Sequence, residues 1–413
     1  MPHRLLEQIA AVRLAPAASI AQAAGELNLR KVTDDELLQH FVRRQLLTGY
    51  QASRLLRGET EGFYYGPYRV LYLVSEGSFA RVYRVVHTET GGRQAIKVLR
   101  STLAQKPEAR ERFQREGDLC RGLSHPNIVA VHDVCCDGPN PYLVLEFIEG
   151  VTLKQFIKSR GPLEPREAND LMRQIVSALY HSAGRGFAHR DLSPNNVLIS
   201  GQGRIKVIDF GLALATPLHG EDDATQEVFR TVEYAALERA THAPINDPRS
   251  DVYFAGCLYY HLLTGEPPLG RGRTRAERSD PEQFSLVVPI RHLRPDLPSV
   301  VVEIVERAMQ LEPQRRYSTF GEMLVQVTAA ERQLQPTSRS LSQMIAQAVA
   351  SQTGEVGEPS SRMEQPRVLV VESDPDWQEV LREGLKREGV RVLVYSSPEH
   401  AYSRLHDEGN PVS

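Results

Sequence analysis

Cysteine is scarce in this 413-residue chain: Cys120, Cys135, Cys136 and Cys257 are the only four, and they form no C-x-x-C pair. No histidine stands at metal-ligand spacing from them, so a cysteine-built metal site is excluded and buried or idle thiols in a reducing compartment fit. Net charge is also scarce, at -3 from 49 Lys+Arg against 52 Asp+Glu. Nothing in that balance calls for nucleic acid or a membrane surface, either of which brings a basic excess. The one arginine-dense stretch, "RGRTRAER" at 271–278, reads as a solvated loop or helix face rather than a docking patch. Long apolar runs are missing. No segment approaches the roughly 18 residues of a membrane helix, and "MPHRLLEQIAAVRLAP" at the N-terminus has no signal-peptide core. A soluble, cytoplasmic protein is expected.

What is present is ordinary globular composition, 41% hydrophobic and 24% charged, over a length that suits two or three domains. Residues 1–62 carry helical periodicity. In "TDDELLQHFVRRQLLTGYQASRLLRG", Thr33 is the expected N-cap with Glu36 closing a capping box, and Gly49 is the expected helix end. This reads as a small helical hairpin or bundle packed on the next domain, with a partner-docking unit as the other reading. From "YRVLYLV" to about residue 149 the pattern turns β-rich, with turns at "TETGG" and "CDGPNP". A mainly helical region follows to about 334, with strands "VLIS" and "IKVIDF" near its start. A β-rich half before a helical half predicts a two-lobed α+β domain over 66–334, with lobes at 66–149 and 150–334 and a cleft between them. Residues 335–366, rich in Ser, Gln, Gly and Pro, read as linker, and 367–413 as a strand–helix–strand unit too small to be a whole domain.

Chemistry concentrates in the two-lobed region. In "VSEGSFARVYRV" a hairpin turn holds Gly77 and Phe79 before β-branched Val82, and backbone N–H groups in such a turn can approach phosphate oxygens. In "QAIKVL" Lys97 lies between apolar residues of a buried strand, where an ammonium needs an anionic partner; Glu116 of "RFQREGDLC" is the expected one. "HRDLSPNN" supplies Asp191, able to accept a hydroxyl proton, and Asn196, whose amide oxygen can hold a divalent cation. "VIDFG" supplies Asp209, an oxygen ligand suited to Mg²⁺.

In this order and on these elements, residues 66 to about 334 resemble a eukaryotic-type Ser/Thr protein kinase of the bacterial kind. The resemblance implies the protein-kinase fold, ATP with Mg²⁺ or Mn²⁺, and protein substrates with Ser or Thr acceptors. It implies that Lys97 contacts the α and β phosphates and pairs with Glu116, that Asp191 positions the substrate hydroxyl, and that Asn196 and Asp209 hold magnesium. It places the nucleotide among Ser75, Gly77, Phe79 and Val82 of the turn and Ala95 and Lys97 of the next strand. Leu145 then resembles the gatekeeper, Glu146 and Ile148 the adenine-binding hinge, and Leu198 is a further expected nucleotide contact. Thr231 is expected to contact Asp191, Asp251 to anchor the catalytic loop next to Arg190, and Arg316 to pair with Glu238. Phosphorylation between 212 and 230, at Thr225 or second at Thr216, would pair with Arg190.

Departures from the family pattern bear on activity. Ser75 and Ala80 replace glycines, Leu237 replaces the proline of A-P-E, and Arg230 replaces the glycine before Thr231. Ser193 stands where the family has a lysine on the transferring phosphate. Losing one such contact costs roughly 100- to 1000-fold in rate, which leaves three readings: a working kinase, a nucleotide-binding scaffold with little catalysis, and an adaptor whose N-terminal helices bind partners. The tail "VLVVESDPDWQEVL" resembles the opening of a response-regulator receiver domain, with Glu372 and Asp374 as acidic candidates. A receiver accepts phosphate at the end of its third strand, beyond residue 413, so a longer chain and a two-component signalling partner are expected.

Overall fold

Alternating apolar and polar residues in "YRVLYLVSE" and "ARVYRVVH" give each run one core-facing side, and the two pair antiparallel as β2 (Tyr68–Glu76) and β3 (Ala80–His87). A computed structural model describes residues 2–210, 232–241, 247–269, 280–334, 367–371 and 391–395. The expected linker and the arginine run at 271–278 lie outside these residues, as do Thr216, Thr225, Thr231, Glu372 and Asp374.

Four helices come first: α1 (Pro2–Val12), α2 (Ala17–Gly25), α3 (Asp34–Arg43) and α4 (Gly49–Leu56). They share a core of their own that includes Ile9, Leu37, Phe41, Leu55 and Phe63. Thr33 and Glu36 form the expected capping box. Gly49 does not end a helix. α3 stops at Arg43, Gln45 takes a φ of 57°, and Thr48 with Gln51 forms a second capping box that makes Gly49 the first residue of α4. In "TGYQ" the T-x-x-Q start signal overrides the glycine stop signal.

The β-rich lobe is a six-stranded antiparallel sheet in the order β1-β2-β3-β4-β6-β5, with β1 at Tyr64–Tyr65, β4 at Arg93–Leu99, β5 at Val131–Asp137 and β6 at Asn140–Glu146. One face buries Val70, Tyr83, Val85, Ile96 and Val144. Against the other lie α5 (Ser101–Ala104) and α6 (Pro107–Arg121) over Leu99, Phe113 and Leu143. Gly117 permits this approach, since a Cβ there would come within 2.3 Å of Leu143 Cδ2 and 2.9 Å of Val134 Cγ2.

The helical lobe follows with β7 (Gly150–Thr152), α7 (Leu153–Arg160), α8 (Pro165–Ala183), β8 (Val197–Ser200) and β9 (Ile205–Val207). It continues with α9 (Val232–Thr241), α10 (Arg249–Thr264), α11 (Ile290–Leu293), α12 (Ser299–Ala308) and α13 (Phe320–Gln333). Helix α10 is apolar on nearly every side and is buried accordingly, from Ser250 through Tyr260. Both lobes and the N-terminal helices fall in one compact unit, Met1–Thr353. A second unit, Gly354–Ser413, contains β10 (Arg367–Val371) and β11 (Arg391–Tyr395), paired in parallel from Arg367↔Arg391 to Val371↔Tyr395. All four cysteines are free, with Cys120 and Cys257 buried. Among the described residues no helix is long and apolar enough to cross a membrane.

His125, in the segment joining α6 to β5, accepts the Asn127 amide at Nδ1 (3.1 Å) and lies 3.2 Å from Ser177 Oγ of α8 through Nε2. An Nδ1 that accepts has no place for a second proton. Burial, then the charges of His181, Lys206 and Arg185, set its pKa below the ordinary histidine value. A base whose folded pKa is depressed contributes stability in full above its unfolded-chain value and loses it as pH falls through that value. The urea midpoint should therefore drop between about pH 7 and pH 5, and His125→Asn should flatten that slope.

Candidate active site

The loop over 189–196 is held from beneath. Asp251, on the first turn of α10 and 2% exposed, accepts the His189 amide at Oδ2 (2.6 Å) and the Arg190 amide at Oδ1 (2.9 Å). Tyr234 of α9 donates its hydroxyl to Asp251 Oδ1 at 2.8 Å and accepts the Leu192 amide at 3.0 Å. Burial first and the Asp251 charge second raise the Tyr234 pKa well above the usual phenol range, so it remains a donor. A carboxylate with three donors can be buried at modest cost, and it fixes where the loop main chain runs. Arg190 adopts a φ of 58°, a left-handed conformation that costs energy in a non-glycine residue and persists when its surroundings impose it.

Within the loop, Asn196 Nδ2 donates to Asp191 O (2.8 Å) and Asp191 Oδ2 (2.7 Å). That use of the amide nitrogen leaves the Asn196 oxygen as an acceptor. The Ile208 amide donates to the main-chain carbonyl of Asn196 at 3.0 Å, and His189 Nε2 lies 3.0 Å from Ile208 O. His189 also packs on Phe210, with ring centroids 4.8 Å apart. Asp209 is thereby placed beside the loop, itself with a φ of 63°.

Lys97 Nζ is 2.6 Å from Asp209 Oδ1, and both side chains are partly buried. Burial alone would favour the neutral form of each group and is the largest single influence on both. The mutual charge and hydrogen bond together outweigh it, so Lys97 is held above and Asp209 below its ordinary pKa. The expected Lys97–Glu116 ion pair is not the one formed. Glu116 accepts instead from Arg112 Nε at 3.1 Å, one turn earlier on α6. Burial pushes the Glu116 carboxyl up against the pull of Arg112 and Lys97. A cavity of about 80 Å³ separates α6 from β4, walled by Phe79, Lys97, Phe113, Glu116, Leu145 and Phe210.

Of the other expected nucleotide contacts, Val82 pairs with Lys97 and Ala95 with Leu145 in the sheet register, and Leu198 pairs with Thr152 and Lys206. Ser75 sits opposite Val82, and Ile148 is half-buried after β6. Ser75, Val82, Ala95, Ile148 and Leu198 lie outside the lining of the cavity, whereas Phe79, Lys97 and Leu145 belong to it. Glu146 accepts Lys206 Nζ at Oε2 (2.6 Å), a pair the motif reading missed. The signal was available, because Lys206 in "IKVIDF" is a lone cation in an apolar strand, as Lys97 is. Tyr234 and Arg112 carried no such signal.

The expected Arg316–Glu238 pair is also replaced. Arg316, 1% exposed, donates to the carbonyls of Gln310 (2.7 Å), Leu311 (2.8 Å) and Arg249 (2.9 Å). Burial pulls its pKa down to about 10. Glu238 accepts from Ser250 Oγ at 3.4 Å. Main-chain carbonyls satisfy the guanidinium directly, and the buried Asp247 carboxylate lies close enough to favour its charge.

No three His, Cys, Asp or Glu side chains gather as a metal cluster among the described residues. The oxygen donors at hand are the Asp209 carboxylate and the Asn196 amide oxygen, a pair that suits a hard cation drawing its other ligands from phosphates and water.

A β-rich lobe and a helical lobe, joined by the Lys97–Asp209 pair beside the loop that holds Asp191 and Asn196, define a protein of the two-lobed kinase class. The model of the protein kinase domain matches residues 68–328, more than half of the chain, and the chain belongs to that family. It is 34% identical over 269 residues to the serine/threonine-protein kinase PrkC of Bacillus subtilis, covering 64% of this chain and 40% of that protein. To the serine/threonine-protein kinase PknB of Mycolicibacterium smegmatis it is 38% identical over 237 residues, covering 55% and 37%. The chain thus spans about two fifths of the length of these curated relatives. Among solved structures it is similar to the Mycobacterium tuberculosis PknI kinase domain, with a TM-score of 0.50, 27% identity, and coverage of 65% of this chain and 96% of that one.

The Lys97–Asp209 pair should show as thermodynamic coupling. Lys97→Met leaves a partly buried carboxylate without its cation, and adding Asp209→Asn relieves it. A double-mutant cycle in urea should give a coupling of about 1–3 kcal/mol; additive losses would mean that the two charges do not sense one another.

Proposed function

We propose that this chain is an ATP-dependent protein Ser/Thr kinase acting in bacterial signalling. The observation that carries the reading is the convergence of Asp191, Asn196 and Asp209 around one loop, with Lys97 at 2.6 Å from Asp209. In this reading the Asp191 carboxylate accepts the proton of a substrate Ser or Thr hydroxyl as its oxygen attacks the γ-phosphorus in line, and the bond to the β–γ bridging oxygen breaks. Asn196 holds the Asp191 carboxylate through Nδ2, so the base is oriented before substrate arrives. Lys97 serves the α and β phosphates. Asp209 and Asn196 would hold Mg²⁺ or Mn²⁺, which supplies charge neutralisation at the phosphate oxygens. Lys97 and Asp209 each exchange the other for a new counter-charge, so neither is left buried and unpaired.

Adenine would lie along Val82, Ala95, Leu145, Glu146, Ile148 and Leu198, with Lys206 bracing Glu146 from β9. Thr231 and the acceptors Thr225 and Thr216 belong to this reading as the substrate-docking and regulatory segment. The parallel pairing of β10 with β11 supports a receiver-like βα unit, and through it a two-component signalling partner. A scaffold with little catalysis is favoured by one feature, the pairing of Glu116 with Arg112 rather than with Lys97.

Radiolabelled ATP separates the two. Asp191→Asn should lower phosphoryl transfer by at least about 100-fold while Mg-ATP still binds, and Ser193→Lys should raise kcat by about 10- to 100-fold by restoring a cation at the transferring phosphate. Equal label in wild type and Asp191→Asn would favour the scaffold.

A further inference from the structure

Strand β2 leads into the turn that covers the proposed phosphate site, and its register is not secured by the sheet alone. Against β3 it shifts twice, between Val70 and Tyr72 and between Leu73 and Ser75. On its other edge β1 pairs with Tyr68 and Arg69, and one further main-chain bond runs from the Val70 amide to Phe63 O at 2.9 Å. Where that pairing stops, the N-terminus of α4 takes over. Gln51 Nε2 donates to Val70 O at 2.7 Å, and Thr48 Oγ1 donates to Leu71 O at 2.5 Å. Both carbonyls belong to the first bulge.

Gln51 is 2% exposed and is itself held: its Oε1 accepts the Thr48 amide at 2.9 Å, and its own amide donates to Thr48 Oγ1 at 3.2 Å. Tyr64 Oη donates to Arg13 O at 2.6 Å, and Arg69 Nη1 donates to Leu14 O, so the helical unit grips β1 and β2 together. A bulge can be absorbed by sliding the strand one residue, about 3.3 Å, which turns every side chain to the opposite face. Here that slide would expel Val70, 0% exposed, and leave two carbonyls without their donors. Downstream, β2 ends at Glu76. The Gly77 amide donates to Ala80 O at 2.9 Å, and Phe79 reaches the wall of the cavity beside Lys97.

We propose that Gln51 is a positioning residue for the nucleotide site: by holding Val70 O at the bulge it fixes the register of β2, and with it the place of the 75–79 turn over Lys97. The N-terminal helices are then a working part of the nucleotide site rather than an appended module. What the turn covers rests on the kinase reading; the clamp itself does not.

The test uses the full chain, with amide hydrogen exchange at Gly77 and calorimetric Mg-ATP affinity read side by side. Gln51→Leu keeps the buried volume and removes the donor. It should speed Gly77 exchange about tenfold and weaken Mg-ATP binding about tenfold, with kcat at saturating ATP within about twofold. Gln51→Lys, which restores a donor, should recover part of both, and Thr48→Val should shift both in the same direction if Gln51→Leu folds poorly. Leu38→Ala, in the core of the helical unit and 1% exposed, should lower the melting temperature and move neither. Unchanged Gly77 exchange in Gln51→Leu, or an equal rise in Leu38→Ala, overturns the proposal. A wild-type chain that binds no Mg-ATP sinks the kinase reading instead, and the Gly77 exchange still decides the clamp.

Discussion

Lys97 and Asp209 are 112 positions apart in the chain and 2.6 Å apart in space, and the rest of the cleft is organised around keeping those charges together. Neither can be taken from water alone. The ammonium therefore requires β4 in register between β3 and β6, and the carboxylate requires the turn after β9 to hold a left-handed backbone. The sheet supplies the first through the Val82↔Lys97 and Lys97↔Leu143 pairings. The second comes from Ile208 and His189, which tie the Asp209 segment to the loop over 189–196.

That loop depends in turn on a deeper carboxylate. Asp251 sits on the first turn of a helix buried nearly all round, where its charge is favoured by the helix N-terminus and neutralised by donors rather than by a cation. The arrangement is hierarchical: an apolar helix places Asp251, Asp251 places the loop, and the loop places Asp191, Asn196 and, through Ile208, Asp209. Helix α6 stands apart from this order. Gly117 lets it lie close to β5 and β6, and its Glu116 accepts from Arg112 of its own helix, so it meets the central pair through the Glu116–Lys97 attraction and not through a direct ion pair.

The lobes, their order and the partly buried lysine were legible in the sequence because each rests on local pattern: alternation in "ARVYRVVH" and a lone cation in "QAIKVL". The capping box at Thr33 was legible for the same reason. What was not legible depends on competition between partners. Glu116 had two cations within reach, and spacing along the chain cannot rank Lys97 against an arginine one helical turn away. Arg316 had a carboxylate expected and found carbonyls, which leave no mark in a side-chain sequence. At Gly49 two valid signals overlapped, and the start signal prevailed because Thr48 and Gln51 satisfy each other's main chain while also reaching β2.

The gap between α6 and β4 has a mechanical corollary. The pocket of about 80 Å³ there sets the rings of Phe79, Phe113 and Phe210 beside the charged groups of Lys97, Glu116 and Asp209. Such groups stay solvated or paired, so displacing α6 along this seam changes which partner serves an ammonium instead of tearing open an apolar core.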